Sequence, residues 1–215
     1  MIPHRQCSRA AYDGRPLSSG DLKQLEQAGR GAGVTVLLLT EKSQIETVIE
    51  YVVQGNTAQI HDPAFINELK TWIRFSDDEA VRCGDGLFSR PMGNPAIPRW
   101  LGSLYLNLLL TPKNENDKYA KHIRSSSGLA VFVSETDDTR HWVEAGRCYE
   151  RFALQATALN IRNAFVNQPV EVAGLRAQFA SALGLGSRRP DLVVRFGHGP
   201  EMPRSLRRPI DSVIV

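Results

Sequence analysis

The sequence lacks the features that identify a membrane span or a disulfide scaffold. Its 215 residues include three cysteines, Cys7, Cys83 and Cys148, an odd number with no C-x-x-C pair. No apolar run reaches the roughly 18 residues that a membrane-spanning helix requires, and the N-terminus lacks the apolar core of a secretory signal. We therefore expect one domain, 1–215, in a reducing, cytoplasmic setting, with no membrane partner.

Motifs of several common protein classes are also missing. There is no G-x-S-x-G nucleophile motif and no phosphate-binding P-loop, and the five histidines never form a two-histidine helical spacing, so no metal site is predicted. Gly29, Gly31 and Gly33 follow a predicted helix and precede a predicted strand, which is the reverse of the dinucleotide-binding order. The net charge of +3 gives no indication of a nucleic-acid partner.

Apolar periodicity predicts strands that are joined by helices, and hence an α+β protein with an α/β layered sheet. The predicted strands are 34–39, 128–134, 163–167 and 191–196. The first of these is a continuous apolar run, which is typical of a strand covered on both faces. The predicted helices are 17–28, one opened by a capping box of Ser43 and Glu46, one opened by Asp62 and Pro63, 142–159 and 172–183.

The segment 76–118 interrupts this regular pattern. Its glycines and prolines flank the apolar stretch LGSLYLNLLL, and such residues are strong local breaks in helices and strands. We therefore expect a long excursion from the sheet, or a lid.

Arginines are grouped at the two ends of the chain, at Arg5 and Arg9 and at Arg204, Arg207 and Arg208. A guanidinium group binds a phosphate through two parallel hydrogen bonds and keeps its charge at physiological pH. From position alone, however, solvated terminal charges explain these arginines better.

Motifs at both ends of the chain resemble those of the FMN-dependent nitroreductase family. Arg5-Gln6-Cys7-Ser8-Arg9, followed by Tyr12 and Arg15-Pro16-Leu17, is similar to the N-terminal signature of that family. PDLVVRFGHGPEMPRSLRRPIDSVI is similar to its closing strand, Gly-rich turn, Arg-x-Pro and apolar tail, and WVEAGRCYERFALQATALNIRNAFVNQP is similar to its central helix and the strand behind the flavin. The resemblance covers roughly residues 1–40 and 127–215.

The resemblance implies a nitroreductase-like fold, with a central, mostly antiparallel sheet flanked by helices, and FMN as the cofactor. Arg5 and Arg9 would approach the ribityl phosphate, with Arg207 completing the phosphate clamp and Arg208 as its nearest substitute. Backbone near Phe165 would lie over the isoalloxazine ring, where an N–H can hydrogen-bond the flavin N5. The cofactor-binding residues implied are Arg5, Gln6, Cys7, Arg9, Phe165, Val166, Asn167, Gln168, Arg207 and Arg208, of which Asn167 and Gln168 would act through the main chain more than through their side chains.

Two departures from the family pattern indicate a divergent branch. Cys7 stands where the family has serine, and the usual Pro-Ser-x-x-Asn-x-Gln-Pro-Trp segment is replaced by AGRGAGVTVLLLT. The middle of the chain, GNTAQIHDPAFINELKTWIRF, resembles a branch in which nitroreductase-like halves can occur in tandem and a lid can cover the flavin.

The activity implied by the resemblance is ping-pong hydride transfer from NAD(P)H through FMN to a nitro, quinone or similar acceptor, without a catalytic acid or base. Two alternatives stay open: an FMN-sequestering protein with little or no turnover, and a structural member that binds no flavin. The resemblance also implies a homodimer in which the tail 210–215 crosses to the partner. The apolar stripe of the 142–159 helix, which is large for one small core, is taken as support for that dimer.

Overall fold

The computed structural model describes residues 1–206, 208, 209, 211 and 214. The helices in chain order are α1 (Ser19–Ala28), α2 (Lys42–His61), α3 (Pro63–Trp72), α4 (Asp77–Cys83), α5 (Arg99–Leu109), α6 (Pro112–Arg124), α7 (Thr139–Ala158), α8 (Gln168–Glu171) and α9 (Ala173–Ala182). The strands are β1 (Val34–Leu39), β2 (Ile73–Arg74), β3 (Leu87–Phe88), β4 (Gly128–Ser134), β5 (Arg162–Phe165) and β6 (Arg189–Gly197). Within these ranges no helix has the length and apolarity needed to cross a bilayer.

Four of the strands form an antiparallel sheet in the order β1-β4-β6-β5. Strand β4 lies inside the sheet and is buried on both faces. Ala130 and Phe132 pack on one side with α1 and α7, whereas Leu129, Val131 and Val133 pack on the other side with α2, α6 and α9. The predicted antiparallel sheet flanked by helices is therefore confirmed.

Several helix ends follow from local capping, but one predicted cap is wrong. Asp62 accepts a hydrogen bond from the backbone of Ala64 and opens α3 as predicted. The capping box of Ser43 and Glu46 does not form, because α2 already begins at Lys42 after Glu41. The carboxylate of Glu46 instead accepts two hydrogen bonds from Arg124 on α6, at 2.8 and 2.6 Å.

Two other predictions differ from the structure, one on the burial of a strand and one on the start of a helix. Strand β1 is an edge strand, so Leu37 and Leu38 are half-buried rather than covered on both faces. The helix predicted at 172–183 begins at Ala173 and follows a separate turn, α8, because Val172 leaves the helical conformation with ψ of 107°.

The apolar stripe of α7 is part of the chain's own core. Ala145, Tyr149, Phe152 and Ala156 are buried against the sheet, whereas Trp142 is half-exposed beneath the Arg189 guanidinium, 5.0 Å from its ring centre. The use of this stripe as support for a dimer is therefore wrong. The predicted exchange of the tail 210–215 falls largely on residues outside the described part of the chain.

The segment 76–118, expected to be an excursion or a lid, adds no strand to the four-stranded sheet and is largely helical. It contains α4, α5 and the first part of α6, and β3 pairs in parallel with β2. Arg74 binds Asp85 at 2.7 Å, and the buried carboxylate of Glu79 accepts hydrogen bonds from Arg99 and from the backbone of Phe75. These contacts fix the excursion against the end of α3.

Helices α2 and α8 approach each other at a glycine. A Cβ atom added at Gly55 would lie 2.7 Å from the backbone oxygen of Gln168, which is closer than real side chains approach backbone. The absence of a side chain at Gly55 therefore determines where α8 lies.

We predict that Gly55→Ala lowers the free energy of unfolding. Overpacking costs about 1–3 kcal/mol, and this exceeds the gain of roughly 1 kcal/mol that alanine brings to a helix interior. Gly146→Ala on α7 is the matched control, because a Cβ there meets nothing within 4 Å, and it is expected to stabilise slightly. Urea unfolding measures both effects, and equal midpoints for the two variants would contradict the packing argument.

Candidate functional site

A cavity of about 680 Å³ lies beside β5 and β6, between α3 and α6. Its volume is within the range of roughly 300–1,000 Å³ that is usual for small-molecule and cofactor sites. Its lining residues are Arg9, Gln59, Phe65, Glu68, Leu69, Trp72, Gly86, Leu87, Met92, Glu115, Lys118, Tyr119, His122, Ala164, Phe165, Val166, Asn167, Gln168, Glu171 and Arg195.

Residues from two distant parts of the chain meet in this cavity. Arg9 comes from the N-terminal segment, and 165–168 come from the end of β5 and the start of α8. Both groups were expected from the sequence to contact a cofactor. The structure therefore brings half of the predicted cofactor-binding residues onto one surface.

The turn after β5 is held in place by contacts to β6. The backbone N–H of Val166 donates to the carbonyl of Val193 at 2.9 Å, and the side-chain oxygen of Asn167 accepts from the backbone N–H of Val193 at 2.8 Å. Because the Asn167 side chain is used in this way, it caps no helix, and Gln168 begins α8 directly.

Arg5 and Gln6 do not line the cavity and have other contacts in the structure. The guanidinium of Arg5 lies 3.1 Å from the carboxylate of Glu150 on α7. The side-chain amide of Gln6 donates to the backbone oxygen of Met202 at 3.0 Å. These contacts attach the start of the chain to α7 and to the C-terminal segment.

Cys7 supports the cavity wall from behind. Its sulfur lies 3.6 Å from the Tyr149 hydroxyl, which donates to the side-chain oxygen of Asn163 at 3.2 Å. The Tyr149 ring in turn packs against Phe165, with 4.4 Å between the ring centres. Cys7 therefore contacts the wall at Phe165 through Tyr149.

The C-terminal arginines are only partly described. Arg208 donates to the backbone oxygen of Gly84 at 3.2 Å and does not line the cavity. Arg207, which was predicted to complete a phosphate clamp, lies outside the described residues.

Arg195 on β6 is the main site residue that the sequence analysis missed. Its side chain is 2% exposed, and its Nη2 donates to the backbone oxygens of Ala10 at 2.8 Å and Ser8 at 3.2 Å. The guanidinium also stacks on the Tyr12 ring at 4.1 Å. Arg195 thus attaches the segment that carries Arg9 to the sheet, and a charged residue inside the apolar strand DLVVRF was the signal that could have identified it.

Two residues that line the cavity each have a buried polar atom without a hydrogen-bond partner in the described part of the chain. The atoms are Nη1 of Arg195 and Oε1 of Gln168. An unsatisfied buried polar group costs about 1–3 kcal/mol, so both atoms favour a ligand that pairs with them. With the cation of Arg9, this set of donors and acceptors fits a cofactor that carries carbonyl groups, an N–H group and a phosphate, as FMN does.

The electrostatics of the cavity keep its histidine neutral at pH 7. Burial, assisted by the charges of Arg195, Lys118 and Lys121, lowers the pKa of His122 to about 4. Burial also raises the pKa of Tyr119. At neutral pH the positive charges of the cavity are therefore those of its arginines and Lys118.

A second, apolar cavity of about 220 Å³ adjoins the first beneath the excursion. The two cavities share Phe65, Leu69 and Leu87 among their walls, and the inner face of α5 closes the second one with Leu106 and Leu109. The polar cavity against the sheet thus adjoins an apolar space under the excursion.

The fold and the cavity define an α+β protein with a cofactor-sized site against an antiparallel sheet. Solved structures identify the fold as nitroreductase-like. A nitroreductase of Bacteroides fragilis with bound FMN is 14% identical, with a TM-score of 0.58 over 100% of this chain and 95% of that one. An iodotyrosine deiodinase bound to FMN and 3-iodo-L-tyrosine is 9% identical, with a TM-score of 0.63 and the same coverage.

Sequence comparison with curated proteins also finds nitroreductases. Two Mycobacterium tuberculosis proteins, of strains CDC 1551 and H37Rv, carry the provisional name NAD(P)H nitroreductase. They are 25% identical over an alignment of 220 positions that covers 99% of this chain. The chain spans 60% of the length of these relatives. No protein-family model matches it. The comparisons therefore show a nitroreductase-like fold and a sequence similarity to nitroreductases over nearly the whole chain.

We predict that folding stability falls as the pH is lowered from about 6.5 to about 4. The pKa of His122 is lowered from its usual 6.5 to about 4 in the folded chain, so in this window the unfolded chain binds a proton that the folded chain does not. The contribution of His122 to the free energy of unfolding is complete above pH 6.5. Urea unfolding across this range should show a smaller decrease in the free energy of unfolding for His122→Asn than for the natural chain. An NMR titration that gives His122 a pKa near 6.5 in the folded protein would contradict the prediction.

Proposed function

We propose that the protein is an FMN-binding oxidoreductase of the nitroreductase type that acts as a cytoplasmic homodimer. One observation carries the proposal: Arg9 and residues 165–168, expected from separate sequence motifs to contact FMN, line one cofactor-sized cavity. The FMN bound in solved structures of the same fold adds support. The bound flavin would supply hydride transfer from NAD(P)H to a nitro, quinone or similar acceptor.

In this proposal the chain's own residues bind and orient the cofactor. Arg9 supplies positive charge for the phosphate, and the structure gives it no ion pair among the described residues. The backbone at 165–168, fixed by its contacts with Val193, supplies the surface for the isoalloxazine ring. Because the Val166 N–H already donates to Val193, the N–H donors to the ring come from Asn167 and Gln168. Arg5 would contribute to the phosphate only after its contact with Glu150 opens, and Arg207 and Arg208 are proposed as contributors from the C-terminal segment.

A second candidate function is FMN sequestration with little or no turnover. The excursion favours it, because Gly86, Leu87 and Met92 line the polar cavity and α5 closes the apolar space beside it. Walls of this kind hinder an acceptor from reaching the flavin without weakening FMN binding. The two functions differ in whether NAD(P)H reduces the bound flavin and whether an acceptor reoxidises it.

We predict that the purified protein carries FMN with a flavin absorption spectrum, and that Arg9→Ala weakens FMN binding about tenfold or more, because a charge-assisted contact is lost. Arg15→Ala is the matched control, since Arg15 lies on the same segment, pairs with Asp13 and does not line the cavity. Equal FMN affinity in both variants would contradict the role of Arg9.

Anaerobic addition of NADH or NADPH tests the activity: bleaching followed by reoxidation with a quinone supports the oxidoreductase, and an unchanged spectrum supports sequestration.

The proposed homodimer needs an apolar surface, and the outer face of α5 offers one. Trp100, Leu101, Leu104 and Leu108 recur at helical spacing on this face and are between 37% and 71% exposed. None of the four lines a cavity described above.

We predict that light scattering gives twice the monomer mass for the natural chain and the monomer mass for a Leu104→Glu, Leu108→Glu double variant, because buried charge at an interface is unfavourable. Val143→Glu on α7, where the side chain is 54% exposed, should leave the dimer intact. A dimer that persists in the double variant would exclude this face, and a monomeric natural chain would exclude the homodimer itself.

A further inference from the structure

We propose that the cavity of about 220 Å³ beneath the excursion is a second ligand site, which binds an apolar compound with one six-membered ring and short alkyl groups. This apolar cavity is separate from the polar cavity that the proposed function assigns to FMN, and the inference does not depend on FMN binding. The two cavities share walls, so a compound bound beneath the excursion lies beside the proposed cofactor.

Charge is confined to one side of the apolar cavity. The charged residues that line it in the described part of the chain are Arg9, Glu115 and Lys118, and all three also line the polar cavity, so they lie where the two cavities meet. The rest of the wall is uncharged and mainly apolar, with Ile60 of α2 and Leu106 of α5 among its members. An ion placed in this part would lose water without gaining a counter-charge, which is unfavourable.

The volume of the apolar cavity fits a single ring. A dry apolar cavity of about 150 Å³ binds benzene, and the volume of about 220 Å³ here leaves room for short alkyl groups as well. Pockets for larger, drug-sized molecules begin at about 300 Å³. We therefore expect fused-ring compounds to fit poorly, because a second ring would extend among the charged groups where the two cavities meet.

Direct contacts hold the walls of the apolar cavity apart. Gly102 of α5 already touches the ring of Phe75, since a Cβ atom added there would overlap the ring, so α5 cannot move closer at this point. The backbone N–H of Ile97 donates to the carbonyl of Phe75 at 3.0 Å, and Arg99 donates to the carbonyl of Ile73 at 2.8 Å. The cavity is therefore preorganised, and a ligand loses little binding energy to rearrangement of its walls.

The test is a titration of the purified protein with p-xylene, followed through the NMR signals of methyl groups. Of the two cavities, Ile73, Ile97 and Leu106 line only the apolar one, whereas Ala164 and Val166 line only the polar one. We expect saturable shifts of the signals of Ile73, Ile97 and Leu106. Binding of 2-methylnaphthalene, which has two fused rings, should be at least about tenfold weaker than binding of p-xylene.

Two substitutions in the excursion separate filling of the cavity from a change at the protein surface. Leu106→Trp fills the apolar cavity and should abolish p-xylene binding. Val81→Trp is the matched control, because Val81 is 70% exposed and lies outside both cavities, and it should bind p-xylene as the natural chain does. Leu106→Ala keeps the test decisive if Leu106→Trp does not fold: it enlarges the cavity and should bind 2-methylnaphthalene more tightly than the natural chain does.

Several results would overturn the inference. Shifts confined to Ala164 and Val166 would assign p-xylene to the polar cavity, and equal affinity of the natural chain for the two compounds would contradict the selection by ring size. Unaltered p-xylene binding in folded Leu106→Trp, or no gain for 2-methylnaphthalene in Leu106→Ala, would also overturn it. The FMN proposal is tested separately, because p-xylene binding without FMN binding would contradict that proposal alone, and FMN binding without p-xylene binding would contradict this inference alone.

Discussion

The burial of one positive charge, the guanidinium of Arg195, constrains the rest of the site. A buried charge is tolerated only where hydrogen bonds and favourable neighbours replace water, and here the N-terminal segment supplies them through two carbonyl groups and the ring of Tyr12. The segment must therefore cross the sheet at this strand, and this crossing brings Arg9 to the cavity. Burial lowers the pKa of His122 and the charge of Arg195 adds to that effect, so Arg195 contributes to both the shape and the electrostatics of the cavity.

The cavity against the sheet is lined by polar and charged groups, whereas the space beneath the excursion is largely apolar. Against the sheet, the cavity presents cations, an amide carbonyl and ordered backbone, which suit a charged cofactor with a polar ring edge. Beneath the excursion, the adjoining space is apolar and is closed by α5. Its charged lining residues, Arg9, Lys118 and Glu115, are shared with the polar cavity, and the rest of its wall is largely apolar.

Local sequence signals predicted the elements that depend on local physics. β4 was correctly bounded because its apolar residues are buried on both faces, and the start of α3 was correct because Asp62 caps its first turn. Contacts between distant residues could not be found in this way. Arg124 donates to Glu46, which was predicted to form a cap, and the backbone of Val193 donates to Asn167 and fixes the turn after β5, yet neither pair is marked by spacing. The excursion was recognised by its glycines and prolines, but the contact of Glu79 with Arg99 that orders it was not.

The hydrogen bond from Ser8 to Asn163 has a consequence beyond the cofactor site. β5 is an edge strand of four residues, and the Ser8 N–H occupies a main-chain acceptor on it at 2.9 Å. Open strand edges recruit other chains into intermolecular sheets. The segment that carries Arg9 therefore also covers part of the open edge of β5, so one short stretch of chain both lines the cavity and hinders the pairing of that edge with another chain.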